Sequence, residues 1–535
     1  MAKIDVRNTT IVINDYNLGD SQALEDNFKV YDPQYHRFNI LGMYYMEETR
    51  RLFLPRGLDI WKIKKYLKEK YHNVIPPHPY KEMKPVLIRY TPRDEQQKEA
   101  LRFMIGVNEY EDNALLPQLS VNLSTGKGKT YCSIATICYL KIKSIVITHS
   151  VTLLNQWKGN IKEYTNLKDK DIMFLNGSST MQMILQGKSR RAEEAQVFLC
   201  THMSILSFCK QYGWDKLDLL FQTLGIGIKF YDEAHTNFNN LLMIDFFTNV
   251  YKTFYVTATP ARSDWRENRI YQLAIKNVPG IDLFDKEIDP HTDYIAIKYN
   301  SKPSPIQISA CRNAYGLDRN KYVGYVVKQG AFKNIMTIVM DMVVKCKGRV
   351  LLYVGTNDGI LQVYRWIGDH YPQFIGDIGI FTSLVDKKQK ITVEKNKKMI
   401  LSTTKSAGLG EHIEGLKMTV VLAEPFKSGV LAKQSLGRTR DQNTVYVEIV
   451  DLGFKYTRKF YYEKLPVFNK YAKSVSDTTI EQYELERRAE RLMEKQSEKI
   501  ARSPIRLNDT RFFKQKPIHV GNTKEEMIKR PIHFH

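Results

Sequence analysis

The segment LSTGKGKT, Leu123 to Thr130, lies between a strand-like run, LPQLSVN, and a helix-like run, YCSIATICYL. A triphosphate needs backbone N–H groups converging on its oxygens. Glycines such as Gly126 and Gly128 permit that close approach, and the start of the following helix adds a positive pole. In such a cradle, built from Ser124, Thr125, Gly126, Lys127 and Gly128, Lys129 reaches the outer phosphates and Thr130 holds magnesium through its hydroxyl. Leu123 occupies the position where the pattern G-x-x-x-x-G-K-T has its first glycine. About a hundred residues on, KFYDEAH ends an apolar strand-like run in two adjacent acids, Asp232 and Glu233. At the carboxyl end of a strand in the same sheet, one acid can join a magnesium shell while the other polarises water.

These residues need a parallel sheet to hold them, and the sequence supplies the pattern for one. From about Ile88 to Asp289, apolar runs (SIVITH, AQVFLCTH, IKFYDE, TFYVTA) alternate with helical segments. A second series (GRVLLYVG, IGIFTS, KMILST, MTVVLAE, TVYVEIVD) fills Lys321 to Leu452. Ahead of both, TTIVIND, FKVYD and RRLFLP precede an amphipathic run, DIWKIKKYLKEKYH. There Ile60, Ile63 and Leu67 share a face, lysines cover the rest, and the aromatic residues are expected to pack inward. The Pro-rich stretch NVIPPHPYKEMKP reads as a linker. The expected organisation is a small α+β module (1–80), two α/β domains (81–290 and 291–456), and a helical extension with a basic tail expected to be poorly ordered (457–535). KPIHV at Lys516 and RPIHF at Arg530 are too short a repeat to imply a repeat architecture.

Composition narrows the partner. In 535 residues, 80 Lys and Arg stand against 58 Asp and Glu, a net charge of +22, which favours a polyanion such as nucleic acid over a membrane surface. No apolar run approaches the roughly 18 residues of a membrane span, and the N-terminus has acids where a signal peptide has its apolar core, so a cytoplasmic protein is expected. The cysteines, Cys132, Cys138, Cys200, Cys209, Cys311 and Cys346, include no C-x-x-C pair and read as buried thiols in a reducing compartment.

The ordered motifs resemble the superfamily 2 helicases and translocases with a DEAH box. EQQKEA is similar to their adenine-reading glutamine motif, with Gln97 or Gln96 as the reader. THSVTLLNQW (Thr148 to Trp157) and LCTHMSI around Thr201 resemble strand-contacting motifs, and VTATP (Thr257, Ala258, Thr259, Pro260) resembles the motif coupling hydrolysis to movement. STTKSAGLGEHIEGL matches the next motif at Thr404, Gly408 and Gly410, with His412 where the family has Asp. QSLGRTR, Gln434 to Arg440, is similar to Q-x-x-G-R-x-x-R, with Arg438 in register and the second arginine one position early, at Arg440.

The resemblance implies two tandem RecA-like parallel-sheet domains, a small N-terminal α+β domain and a helical C-terminal extension. It also implies magnesium-dependent hydrolysis of ATP, with His235 linking the ATP site to the coupling motif. An arginine, Arg438 or Arg440, would stabilise charge on the transferred phosphoryl group. The N-terminal module is similar to that of phage branch-migration helicases of the UvsW type, which implies DNA, duplex, forked or branched. The motor motifs grip backbones, so an RNA or transcript-displacing helicase is the alternative, and a nucleic-acid-binding scaffold with a vestigial ATPase is a third reading. A restriction translocase with its own nuclease finds no PD-(D/E)xK arrangement here. The lysines at Lys387, Lys388, Lys390, Lys395, Lys397 and Lys398 read as a solvated loop or a nucleic-acid track, and Phe460, Tyr461 and Tyr462 as packing residues or base-stacking ones. His533 and His535 could bind metal adventitiously.

Overall fold

The computed structural model describes residues 3–32, 37–123, 126–257, 265–283, 291–313, 316–386, 389, 392–393, 396–407, 413–424 and 443–502. The expected Ser124, Thr125, Ala258, Thr259, Pro260, Gly408, Gly410, His412, Gln434, Arg438 and Arg440 lie outside them, as do Lys387, Lys388, Lys390, Lys395 and the tail with His533 and His535. The fold is α/β. It comprises two RecA-like parallel-sheet domains in chain order, a small N-terminal α+β domain and C-terminal helices.

Residues 1–290 belong to the first unit. Its central sheet has the strand order Ile172–Phe174, Val197–Thr201, Ser144–Thr148, Ile228–Asp232, Lys252–Thr257, Gln118–Asn122, Gly280–Asp282, with every pairing parallel. Strands Ser144–Thr148, Val197–Thr201 and Lys252–Thr257 are buried on both faces, which is why they read as largely continuous apolar runs rather than alternating ones. Helices Glu95–Ile105, Lys129–Leu140 and Val151–Tyr164 cover one face and contribute to its core. Helices His202–Tyr212, Asp215–Leu224 and Phe238–Phe246 cover the other.

The N-terminal strands Ile4–Val6, Thr10–Ile13, Tyr44–Met46, Arg51–Pro55 and Asn73–Val74 form a mixed sheet. Val12, Val30 and Phe53 enter the same apolar core as Phe198, Leu220 and Phe246 of the first motor domain. The Pro-rich stretch is not a free linker. His78 places Nδ1 3.0 Å from Asp218 Oδ1 and Nε2 2.8 Å from the Ile226 carbonyl, while Asn249 donates to the Pro76 carbonyl at 2.7 Å. Its prolines fix an extended chain whose remaining polar groups find partners on the domain beside it.

The helix at Ile60–Leu67 corrects a second expectation. Its inner stripe is Ile60, Ile63 and Leu67, packed on the module's own core. At 100° per residue, Trp61 then points away from that stripe, and it is 71% exposed.

The second unit has the parallel order Ile378–Phe381, Met399–Ser402, Arg349–Val354, Leu416–Ala423, Thr444–Asp451, Thr292–Tyr299, Ser474–Thr479. The C-terminal helices Lys455–Tyr471 and Ile480–Arg502 flank its last strand. The second of these helices is tied to helix Ala331–Lys345 through Arg487 with Asp341 and Lys345 with Glu490. Tyr461 is buried, with the Lys298 ammonium 5.2 Å from its ring centre, whereas Tyr462 is exposed. All six cysteines are free and buried. No described helix is long and apolar enough to cross a membrane.

Candidate active site of the first motor domain

The phosphate loop leaves the carboxyl end of strand Gln118–Asn122 and enters helix Lys129–Leu140 through Gly126 and Gly128, whose φ values are 84° and 90°. A side chain at Gly128 is disfavoured by the left-handed backbone and would displace the Gln97 amide, since a Cβ there would lie 2.2 Å from Gln97 Nε2.

That close approach is functional in the local sense, because Gln97 braces the loop. Its Nε2 donates to the Lys127 carbonyl at 3.1 Å and its Oε1 accepts from the Arg93 N–H at 2.9 Å. Helix Glu95–Ile105 presents Gln97 at this point because Asp94 caps it, accepting the Gln97 N–H at 2.9 Å. The neighbouring Gln96 is also buried, and among the described residues neither polar atom of its amide has a hydrogen-bond partner.

Strand Ile228–Asp232 brings the two acids to the same edge of the sheet. At Glu233 the backbone turns into the left-handed region, φ 53°, and Ala234 N–H is held by the Val256 carbonyl at 3.0 Å. The turn sets Glu233 Oε1 3.3 Å from the Lys129 ammonium, with both side chains largely buried. Glu233 Oε2 in turn lies 3.3 Å from His235 Nδ1, which is 2.8 Å from Thr257 Oγ1. A continuous polar line thus runs from the phosphate loop, through the DEAH turn, to the end of strand Lys252–Thr257.

Asp232 has a partner that the sequence pattern did not suggest. The indole N–H of Trp157, on helix Val151–Tyr164, donates to its Oδ2 at 2.8 Å. Burial, reinforced by the neighbouring Glu233 charge, pushes the Asp232 carboxyl up to about 6, with Lys129 and the Trp157 donor acting the other way.

The donor set suits a hard dication bridging to phosphate: a hydroxyl at the head of a helix, Thr130, and a carboxylate at the facing strand end, Asp232. Among the described residues no cluster of three or more His, Cys, Asp and Glu side chains could cage a metal by itself. Phosphate oxygens and water would complete such a shell.

The segments THSVTLLNQW and LCTHMSI start helices at the same edge. Ser150 caps Val151–Tyr164, and Thr201 caps His202–Tyr212. His202 is buried between Asn237 and Asn240, each with its amide nitrogen 3.4 Å from a ring nitrogen. In the second unit Thr404 donates its backbone N–H to Glu424 at 3.0 Å, and Glu424 also pairs with Arg319.

Residues 89–262 match the family described as "Type III restriction enzyme, res subunit". That span carries Gln97, the phosphate loop, Asp232 to His235 and Thr257. No curated protein matches the chain. Among solved structures, the crystal structure of T4 UvsW is similar at 12% identity and a TM-score of 0.33, over 89% of this chain and 100% of that one. S. cerevisiae Dbp5 bound to RNA and ADP BeF3 is similar at 14% identity and a TM-score of 0.48, over 75% of this chain and 93% of that one. The family match covers the first parallel-sheet domain, and the second parallel-sheet domain lies beyond it.

Proposed function

We propose that this protein is an ATP-dependent nucleic-acid translocase of superfamily 2. The observation that carries the reading is the 3.3 Å approach of Lys129 to Glu233 at the carboxyl edge of a parallel sheet, beside Asp232 and a glycine-bent loop. A cation for phosphate and a carboxylate for water converge there, as in-line phosphoryl transfer to water requires.

Lys129 neutralises the outer phosphates, and its transfer to them leaves Glu233 to orient and polarise the attacking water. Thr130 and Asp232 would hold magnesium, which would supply charge neutralisation for the phosphates. The Glu233–His235–Thr257 line carries the change at the γ-phosphate toward the coupling motif. By the superfamily 2 resemblance, Gln434 and an arginine, Arg438 or Arg440, are assigned to ATP hydrolysis.

The finer reading is a DNA motor that unwinds or branch-migrates duplexes, and it rests on the resemblance of the N-terminal module. The RNA reading is its counterpart, since contacts to backbones do not choose the sugar. Phosphate release by the purified protein, alone and with single-stranded DNA, duplex DNA, a four-way junction or RNA, tests the proposal. Stimulation by nucleic acid, lost in Lys129→Ala, is expected. Strongest stimulation by the junction selects branch migration, and stimulation by RNA alone selects the counterpart. No stimulated hydrolysis with any of them leaves a binding scaffold and overturns the motor.

A further inference from the structure

Helix Ile60–Leu67 buries Ile63 and leaves its opposite side to solvent. That side carries Lys62 and Lys65, with Lys68 at its end, all exposed. Trp61 is 71% exposed at its start, and Tyr71, just beyond it, is 75% exposed. A large aromatic side chain left this open forgoes roughly 2 kcal/mol of burial, and here two of them bracket four exposed lysines, Lys62, Lys65, Lys68 and Lys70, within one short segment. The Lys64 ammonium lies 4.6 Å from the Trp61 ring centre, a cation–π contact that helps fix the indole as it stands.

The chemistry of this face selects its partner. Lysines alone would suit any polyanion. Aromatic rings interleaved with them suit a strand whose bases are unpaired, because rings offer stacking platforms while ammonium groups follow the phosphates. A duplex presents phosphates but keeps its bases stacked inside, and would leave both rings unused. From Ile60 to His72 there are five lysines and one acid, Glu69, so the local field favours a polyanion over an apolar peptide.

We infer that the segment Trp61–Tyr71 is a second nucleic-acid site, which captures an unpaired strand by base stacking independently of the motor motifs. The module bearing it shares a core with the first motor domain, and Asn8 N–H is held by Asn249 Oδ1 at 2.9 Å, so a strand held there is fixed relative to that domain. The inference takes from the proposed function only that the ligand is nucleic acid. It requires no hydrolysis.

The test is equilibrium binding of the full chain, without nucleotide, to fluorescent 20-mers of single-stranded DNA, single-stranded RNA and duplex DNA. The variants are Trp61→Ala, Tyr71→Ala and the pair, with thermal unfolding as the control for folding. Each aromatic removal should weaken single-strand binding about 10-fold, leave duplex binding unchanged and leave the salt dependence unchanged. Lys62→Ala with Lys65→Ala and Lys68→Ala should instead flatten the salt dependence. A preference between the two sugars identifies which strand is taken. Single-strand binding by the double variant equal to that of the unaltered protein, or equal losses for single strand and duplex, overturns the inference. If ATP hydrolysis is stimulated but the aromatic variants bind normally, this site falls and the motor stands; the reverse pattern leaves the site and removes the motor.

Discussion

The indole N–H of Trp157 donates to Asp232 Oδ2 at 2.8 Å, so helix Val151–Tyr164 is bonded directly to the carboxylate proposed to hold magnesium. The donor takes one lone-pair direction of Asp232 and orients the group. Trp157→Phe keeps the aromatic packing and removes the donor, leaving a recessed carboxylate oxygen short of one bond, a cost of about 1–3 kcal/mol. Hydrolysis should then need roughly 10-fold more magnesium, with ATP affinity in excess magnesium little changed. A magnesium titration of the steady-state rate checks this, and an unaltered titration curve would count against the positioning role.

The phosphate loop gives a second prediction. Gln97 is committed through both ends of its amide to backbone groups at Lys127 and Arg93. Gln97→Ala should therefore weaken ATP and GTP alike, by about 10-fold, because the loop loses its brace. A residue that read adenine would lose ATP selectively. Gly128→Ala should abolish binding of both, since the added methyl meets Gln97 at 2.2 Å on a left-handed backbone. Fluorescent-nucleotide binding with ATP and GTP as competitors separates the cases.

The apolar strands of both sheets could be read from sequence because burial on two faces writes continuous runs of Val, Ile, Leu and Phe. That Lys129 and Glu233 meet at one sheet edge was readable for a different reason: the chemistry proposed for them requires particular residue types at fixed spacing. The strand Ser474–Thr479 was not, because it is an almost fully exposed edge strand of Ser, Thr and Asp with one valine, and only its pairing with Thr292–Tyr299 makes it a strand. Nor was the Trp157–Asp232 bond, which joins residues 75 apart and leaves no local pattern. The outward face of Trp61 was readable in principle, since naming Ile60, Ile63 and Leu67 as the inner stripe already sends residue 61 outward.

Acid sensitivity should trace in part to His202. Burial, with a smaller contribution from His149, holds it down to about 4 from its ordinary 6.5. Between those values the unfolded chain takes up a proton that the folded one refuses, so stability falls as pH is lowered from 6.5 toward 4, by up to about 3 kcal/mol. His202→Gln removes the group and should flatten that part of the profile. Urea unfolding at pH 7.5 and pH 5 compares the two proteins, and an equal loss in both would exclude His202 as a source.

Stability should also depend on an ion pair beneath the sheet. The Lys229 ammonium is fully buried, pairs with Asp245 and donates to Thr248 Oγ1 at 2.6 Å, while Tyr231 and Tyr255 donate to the same carboxylate at 2.8 and 2.5 Å. Asp245→Ala leaves a buried cation without its counter-charge and should cost about 3–5 kcal/mol. The loss should appear as an earlier first transition in calorimetry. A transition at the unaltered temperature would show that the pair is dispensable.

The central claim is that Glu233 polarises water while Lys129 binds phosphate, and a split between binding and turnover tests it most directly. In Glu233→Gln, nucleic-acid-stimulated hydrolysis should fall at least 100-fold while fluorescent ATP binds within a few-fold of normal affinity. Hydrolysis persisting in Glu233→Gln at the rate of the unaltered protein would contradict the account.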